Sequence, residues 1–184
     1  MKITVDIKRI FLTTIVCLVT AVLPLTISTT ESFYPFLVPI LFSVAIPLTC
    51  FDRITTKKKY QAFVLSAMLT IILFFFSVMF GIFLGQSFLG EYSIFAISAL
   101  AGLLTLLSLS ITIKIDNLKF GLILTSLFAL AVPLVAKYLK GQKIFNIEFF
   151  GDPATFFIVW QTIIGFAIAI SIWTKTNVSK AINK

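Results

Sequence analysis

The sequence contains no histidine, and only 12% of its 184 residues are charged. Without histidine the chain cannot form Ser–His or Cys–His nucleophile pairs, zinc sites of the H-E-x-x-H type or histidine-ligated haem. It also has no carboxylate pair within its long apolar runs, where ionisable groups usually mark proton relays and ion paths. We therefore predict that the protein is not an enzyme and that it holds no cofactor and no metal ion.

Acidic charge is scarcer still, with 7 acidic against 15 basic residues and a net charge of +8. Apolar residues make up 59% of the chain, whereas an ordinary globular domain has about 45–50%. These apolar residues lie in long uninterrupted runs, which exclude a soluble domain, a disordered tail and a nucleic-acid-binding protein. The first partner that the composition predicts is the lipid bilayer, and we expect no nucleic-acid partner.

Six apolar runs approach or exceed the roughly 20 residues that a helix needs to cross about 30 Å of hydrocarbon. Strand-type alternation of apolar and polar residues is absent, so helices, which satisfy their own backbone groups, are favoured over a β-barrel. We predict an all-α integral membrane protein that forms a single polytopic domain over 1–184, with short loops. The six predicted transmembrane helices cover about 10–28, 33–51, 62–86, 92–113, 120–137 and 154–174.

The basic residues predict the orientation of these helices. With the N-terminus inside, 12 of the 15 basic residues fall on the cytoplasmic side and only Lys137, Lys140 and Lys143 fall outside. Because Lys and Arg concentrate in cytoplasmic loops, we predict cytoplasmic N- and C-termini and a multi-pass protein of the bacterial inner membrane. The first run is too long for a typical signal peptide and lacks an A-x-A-like site, so we interpret it as an anchor; cleavage would leave five spans.

Small residues spaced four apart predict where helices approach one another closely. Lipid supplies no hydrophobic force between helices, so small side chains that allow close contact mark candidate interfaces. Packing within the monomer is our main interpretation, and contact between the subunits of a homodimer is the alternative. The candidate packing residues are Gly81, Gly85, Ser98, Gly102, Gly165 and Ala169.

The two cysteines, Cys17 and Cys50, lie in different apolar runs. In the predicted topology their depths differ by about 10 Å, at 1.5 Å per helical residue. A disulfide requires Cα atoms within about 7 Å of each other, so we predict two free buried thiols.

The segment 138–153 is the strongest candidate for recognition. It carries basic charge on the predicted outer side and continues into an apolar, aromatic stretch, which is costly to expose to water. One interpretation is a segment resting on the outer leaflet, and the other is a recognition surface. The candidate recognition residues are Lys140, Lys143, Phe145, Glu148, Phe149, Phe150 and Asp152.

In general character the chain resembles the polytopic immunity proteins of pore-forming bacteriocins and the inner-membrane exclusion proteins of conjugative plasmids. The likeness lies in size, short loops, the lack of catalytic groups and a composition rich in Phe, Lys and Ile. It implies a non-catalytic protein of a mobile element that confers immunity or superinfection exclusion by recognising another membrane or membrane-inserting protein. Two alternatives stay open: a small transport component, such as the substrate-binding subunit of an importer, and a channel or holin-like oligomer.

Overall fold

A computed structural model describes residues 2–27, 34–84, 90–139, 143–144, 147–148 and 152–177. Six α-helices make up most of these residues, joined in places by short strands and 3₁₀ turns. The helices are α1 (Ile7–Ile27), α2 (Tyr34–Thr49), α3 (Lys59–Leu84), α4 (Ser93–Thr112), α5 (Leu118–Leu139) and α6 (Asp152–Trp173). The strands are β1 (Lys2–Val5), β2 (Lys143–Ile144), β3 (Ile147–Glu148) and β4 (Thr174–Asn177), and the 3₁₀ turns are Phe51–Arg53 and Gly90–Tyr92.

Five of the helices in the described chain are long and apolar enough to cross a membrane. The helical fold and the order of the helices agree with the sequence-based prediction, but α2 has only 16 residues where 33–51 was predicted. Its C-terminal end is cut short because the chain leaves the α-helix at Cys50 and enters a 3₁₀ turn, in which the Arg53 N–H donates to the Cys50 carbonyl. Apolar character alone does not reveal this change of backbone.

The helix α6 lies at the centre of the bundle. It packs on α1 and α5 and also contacts α2 and α4. In α6, 67% of the most apolar 18-residue window is buried, against 17% of the corresponding window in α3, as expected for a helix that is apolar on all sides. The side chains of Ile164, Ile168 and Ile172 are fully buried and form the middle of the core.

Both ends of the described chain meet at one end of the bundle, here called the terminal end. β1 pairs antiparallel with β4, with Lys2 opposite Asn177 and Val5 opposite Thr174. The connections after α2 and α4 meet at one point as well, because Ile54 and Ile113 form an isolated β-bridge. The Lys114 N–H also donates to the Arg53 carbonyl at 2.9 Å. The terminal strands were not foreseen from the sequence, because four-residue polar strands carry little signal beside apolar runs.

The small residues singled out in the sequence lie between helices of the same chain wherever the structure describes them. A Cβ on Gly81 would overlap the Ile97 side chain of α4, and a Cβ on Gly102 would lie 3.3 Å from Ala129 of α5 and from Ile164 of α6. The Ser98 hydroxyl donates to the Ala129 carbonyl at 2.7 Å. The remaining two described positions, Gly165 and Ala169, are buried on α6, and Gly85 lies outside the described residues.

The two cysteines are buried and free, as predicted. Cys17 lies on α1 and Cys50 directly follows α2, and both side chains are fully shielded from solvent. They act as small apolar residues in the core, which is the usual role of a buried free thiol.

Candidate functional site

The recognition residues predicted from the sequence fall in a segment that the structure describes only in part. Lys140, Phe145, Phe149 and Phe150 lie outside the described residues. Lys143 and Glu148 are register partners in the β2–β3 pair, and Asp152 is the first residue of α6. The segment therefore contains a short antiparallel strand pair, which brings two of the candidates opposite each other in backbone register. Its role in recognition stays a prediction.

A different feature, at the terminal end, has the form of a binding site. This feature is a pocket beside Arg9, Arg53 and Trp173, here called the arginine–tryptophan pocket. Its volume of about 550 Å³ is inside the range of roughly 300–1,000 Å³ that is typical of ligand sites. It combines the beginning of α1 with the turn after α2 and the end of α6. The lining residues are Thr4, Val5, Asp6, Ile7, Lys8, Arg9, Asp52, Arg53 and Trp173.

Asp6 positions the α1 side of the pocket. Its carboxylate accepts a hydrogen bond from the Arg9 backbone N–H at 3.2 Å, and its carbonyl accepts one from the Ile10 N–H at 3.1 Å. This is the geometry of an N-cap aspartate, which satisfies a free N–H group of the first turn. The helix therefore starts with Ile7, and Lys8 and Arg9 lie in its first turn at the pocket wall.

Arg9 joins three elements in the pocket. Its Nη1 lies 2.6 Å from Asp52 Oδ1 and its Nε lies 3.7 Å from Asp6 Oδ2. Its guanidinium carbon is 4.4 Å from the ring centroid of Trp173. The side chains of Arg9, Asp6 and Asp52 are 42%, 49% and 54% exposed. Pairs this exposed contribute only about 0–1 kcal/mol to stability, so these charges remain available to a ligand.

Arg53 is the more enclosed cation of the pocket. Its Nη1 donates to Asp116 Oδ2 at 3.0 Å and to the Lys114 carbonyl at 3.5 Å. Its guanidinium carbon lies 4.9 Å from the Trp173 ring centroid. With 9% of its side chain exposed, Arg53 mainly ties the turn after α2 to the turn after α4.

Trp173 joins the two arginines at the end of α6. It is 5% exposed, and its indole N–H has no hydrogen-bond partner among the residues that the structure describes. The negative face of an indole ring attracts nearby guanidinium groups. In the sequence, Arg9 and Arg53 count only among the basic residues that predict the orientation, and Trp173 is not singled out. Their rarity was an available signal, because Arg9 and Arg53 are the only arginines in a lysine-rich chain and arginine stacks on aromatic rings far better than lysine.

The interior of the bundle offers a second, apolar space. A cavity of about 160 Å³ lies between α3, α4 and α6, with Phe74, Ile97 and Phe156 in its wall. On the same wall the Trp160 Nε1 donates to the Ser98 carbonyl at 3.5 Å. This wall offers few groups that could hold a polar solute.

The chemistry of the arginine–tryptophan pocket is suited to binding. It offers guanidinium and ammonium donors, carboxylate acceptors and an aromatic ring. Within the described ranges, no group of three His, Cys, Asp or Glu side chains could hold a metal ion. No family model, curated protein or solved structure matches this chain.

Proposed function

We propose that this chain is a non-catalytic protein of the bacterial inner membrane that recognises another membrane or membrane-inserting protein, in the manner of immunity and exclusion proteins. The observation that carries the proposal is the contrast between the two faces of α3. Five small residues form the buried stripe of this helix: Ala62, Ser66, Thr70, Ser77 and Gly81. Large apolar side chains cover the opposite face and are exposed: Val64, Met68, Ile72, Phe76, Met79 and Phe83.

This outer face of α3 can meet either lipid chains or a helix of another protein. Flexible methionine side chains and aromatic rings adapt to different partners, which makes such surfaces suited to recognition. Phe76 and Phe80 are one helical turn apart and stack with ring centroids 6.1 Å from each other, so they form one aromatic patch on this face.

The proposal is tested by photocrosslinking in living bacteria. A photoreactive amino acid replaces Phe76 or Met79 on α3, and a matched pair of variants carries it at Leu127 or Leu134 on α5, where the side chains are equally exposed. We expect a protein adduct, identified by mass spectrometry, from the α3 positions and none from the α5 positions. An adduct at twice the mass of the chain would indicate a homodimer. Absence of any protein adduct would contradict the proposal.

The outer segment gives a separate test of the same function. Lys140→Glu with Lys143→Glu, or Phe149→Ser with Phe150→Ser, should abolish protection against the recognised protein while the amount of protein in the membrane stays constant. Exposed Lys57 and Lys58, both changed to Glu, provide a control with the same change of charge at the other predicted side. If protection survives all four outer substitutions, recognition does not use this segment.

The arginine–tryptophan pocket favours a second candidate, a small transport component that binds a solute. Its volume of about 550 Å³ and its mixed charges are what such a subunit needs. A solute or ATPase subunits that copurify with the protein from native membranes would support this function. A stable, monodisperse preparation without either would count against it.

A further inference from the structure

The exposed charges of the arginine–tryptophan pocket are balanced. Lys8 and Arg9 are cationic, Asp6 and Asp52 are anionic, and all four are partly or largely open to solvent. Arg53 does not disturb this balance, because it is enclosed and paired with Asp116. A simple anion in the pocket would lie close to two carboxylates, and a simple cation would lie close to two cations.

A ligand that carries both charges meets both sets of partners. A phosphate group accepts charge-assisted hydrogen bonds from arginine and lysine, and a primary ammonium group donates them to carboxylates. Arg9 Nη1 and Asp52 Oδ1 are only 2.6 Å apart, so the two partner groups lie side by side. The pocket is therefore matched to a short zwitterion with phosphate and ammonium groups on adjacent carbons.

An apolar stripe leads away from the pocket along α1. Ile7 lines the pocket and is 62% exposed, and Phe11, Ile15, Leu18 and Val22 follow it at helical spacing as exposed residues. Residues three and four apart share one face of a helix, so the stripe forms a continuous track. In a membrane this track is suited to an acyl chain whose headgroup sits at the end of the helix.

We infer that the arginine–tryptophan pocket binds the headgroup of an aminophospholipid, with an acyl chain along the α1 stripe. Lys8 and Arg9 bind the phosphate, and Asp6 and Asp52 bind the primary ammonium. Trp173 stacks with Arg9 and holds the guanidinium in place, as expected for an indole at a membrane interface. This site is independent of the α3 face, so its test and the crosslinking test can fail separately.

Native mass spectrometry of the delipidated full-length protein in detergent tests the inference. Phosphatidylethanolamine, phosphatidylcholine and phosphatidylglycerol with identical acyl chains are titrated in turn. The choline headgroup cannot donate hydrogen bonds from its nitrogen, and the glycerol headgroup has no cation. We expect phosphatidylethanolamine to bind about tenfold more tightly than the other two, the ratio for roughly one lost charge-assisted hydrogen bond. Equal binding of all three lipids would overturn the inference.

Variants assign the binding to the pocket. Asp52→Asn should reduce the preference for phosphatidylethanolamine over phosphatidylcholine to about twofold or less, because an amide attracts an ammonium group weakly, and Asp52→Glu should restore it. Lys8→Gln should weaken phosphatidylethanolamine binding by about fivefold. Lys119→Gln is the matched control, because Lys119 is an exposed lysine in the first turn of α5 outside the pocket. An unchanged preference in Asp52→Asn, with unfolding temperature preserved, would place the lipid elsewhere.

Competition with soluble O-phosphoethanolamine shows whether the ligand of the pocket is a lipid headgroup or a soluble zwitterion of the same chemistry. If the acyl chain contributes along α1, millimolar O-phosphoethanolamine should fail to displace the lipid, and Ile7→Ser with Phe11→Ser should weaken lipid binding. If the soluble compound displaces the lipid at equal concentration, the pocket binds a soluble zwitterion and the lipid assignment is overturned.

Discussion

Gly165 of α6 lies so close to Cys17 of α1 that a Cβ built on the glycine would be 2.6 Å from the cysteine Sγ and 2.7 Å from its Cβ. Real Cβ atoms do not approach other heavy atoms this closely. The absence of a side chain at Gly165 therefore sets the distance between α1 and α6, in the way that small residues allow close packing of membrane helices.

Gly165→Ala should force these helices apart and lower the free energy of unfolding by about 1–3 kcal/mol, the usual cost of an overpacked core. Thermal unfolding of the purified protein in detergent measures the loss. Gly102→Ala is a graded comparison, because its Cβ would lie 3.3 Å from its neighbours and should cost less. Cys17→Gly in the Gly165→Ala background should recover part of the stability, and purely additive effects would contradict the contact.

The two arginines should differ in their contributions to stability. Arg53→Gln should cost about 2 kcal/mol, because Arg53 is enclosed and donates to Asp116 and to the Lys114 carbonyl. Arg9→Gln should cost about 0–1 kcal/mol, since its ion pairs are exposed. Unfolding measured at low and high salt checks the difference, because salt screens exposed pairs more strongly. Equal losses of stability in the two variants, with equal salt dependence, would contradict the expected difference between Arg53 and Arg9.

A hydrogen bond between two buried hydroxyls connects α3 to α4, and we expect it to stabilise the fold. The hydroxyls of Ser66 and Thr112 are 2.9 Å apart and buried, and interhelical hydrogen bonds in membranes contribute about 0.6 kcal/mol on average. Ser66→Ala should therefore lower the unfolding temperature by roughly 1–2 °C. Ser110→Ala is the control, because that hydroxyl donates only to the Leu107 carbonyl of its own helix. The same loss in both variants would show that the interhelical bond is not stabilising.

Gln161 should contribute less to stability than Thr20, its hydrogen-bond partner on α1. The Gln161 amide nitrogen donates to the Thr20 hydroxyl at 2.7 Å, but its buried carbonyl oxygen has no partner among the described residues. Thr20→Val leaves the buried amide donor without a partner and should cost about 1–3 kcal/mol, whereas Gln161→Leu removes that donor together with the unpaired carbonyl oxygen and should cost less. Thermal unfolding of both variants checks the order, and a larger loss in Gln161→Leu would point to a polar role for this side chain.

The sequence predicted the helical architecture well, because apolar runs bounded by charged loops carry a strong signal. It also pointed to Gly81, Gly102 and Gly165, since small-residue spacing reflects close approach. The shortened α2 was missed, because Cys50 and Phe51 are as apolar as the helix before them and the switch to a 3₁₀ turn depends on backbone hydrogen bonds.

The arginine–tryptophan pocket could not be predicted from local pattern. Arg9, Arg53 and Trp173 lie far apart in the chain, and each has an ordinary explanation at the end of a membrane helix. Only the tertiary contacts of α1 with α2 and α6 place the two guanidiniums beside one indole ring. The rarity of arginine was a signal that these two positions differ from the many lysines.

The pairing of α1 with α6 has a consequence for biosynthesis. α1 is synthesised before α6, the helix with which it makes most of its contacts, and β1 and β4 join only after α6 is complete. Cys17, which is fully buried and lies against Gly165 of α6 in the finished fold, therefore lacks this contact while the four helices between α1 and α6 are synthesised. A chain interrupted after α5 would leave the α6-facing side of α1 uncovered at Cys17, and β1 would have no strand to pair with.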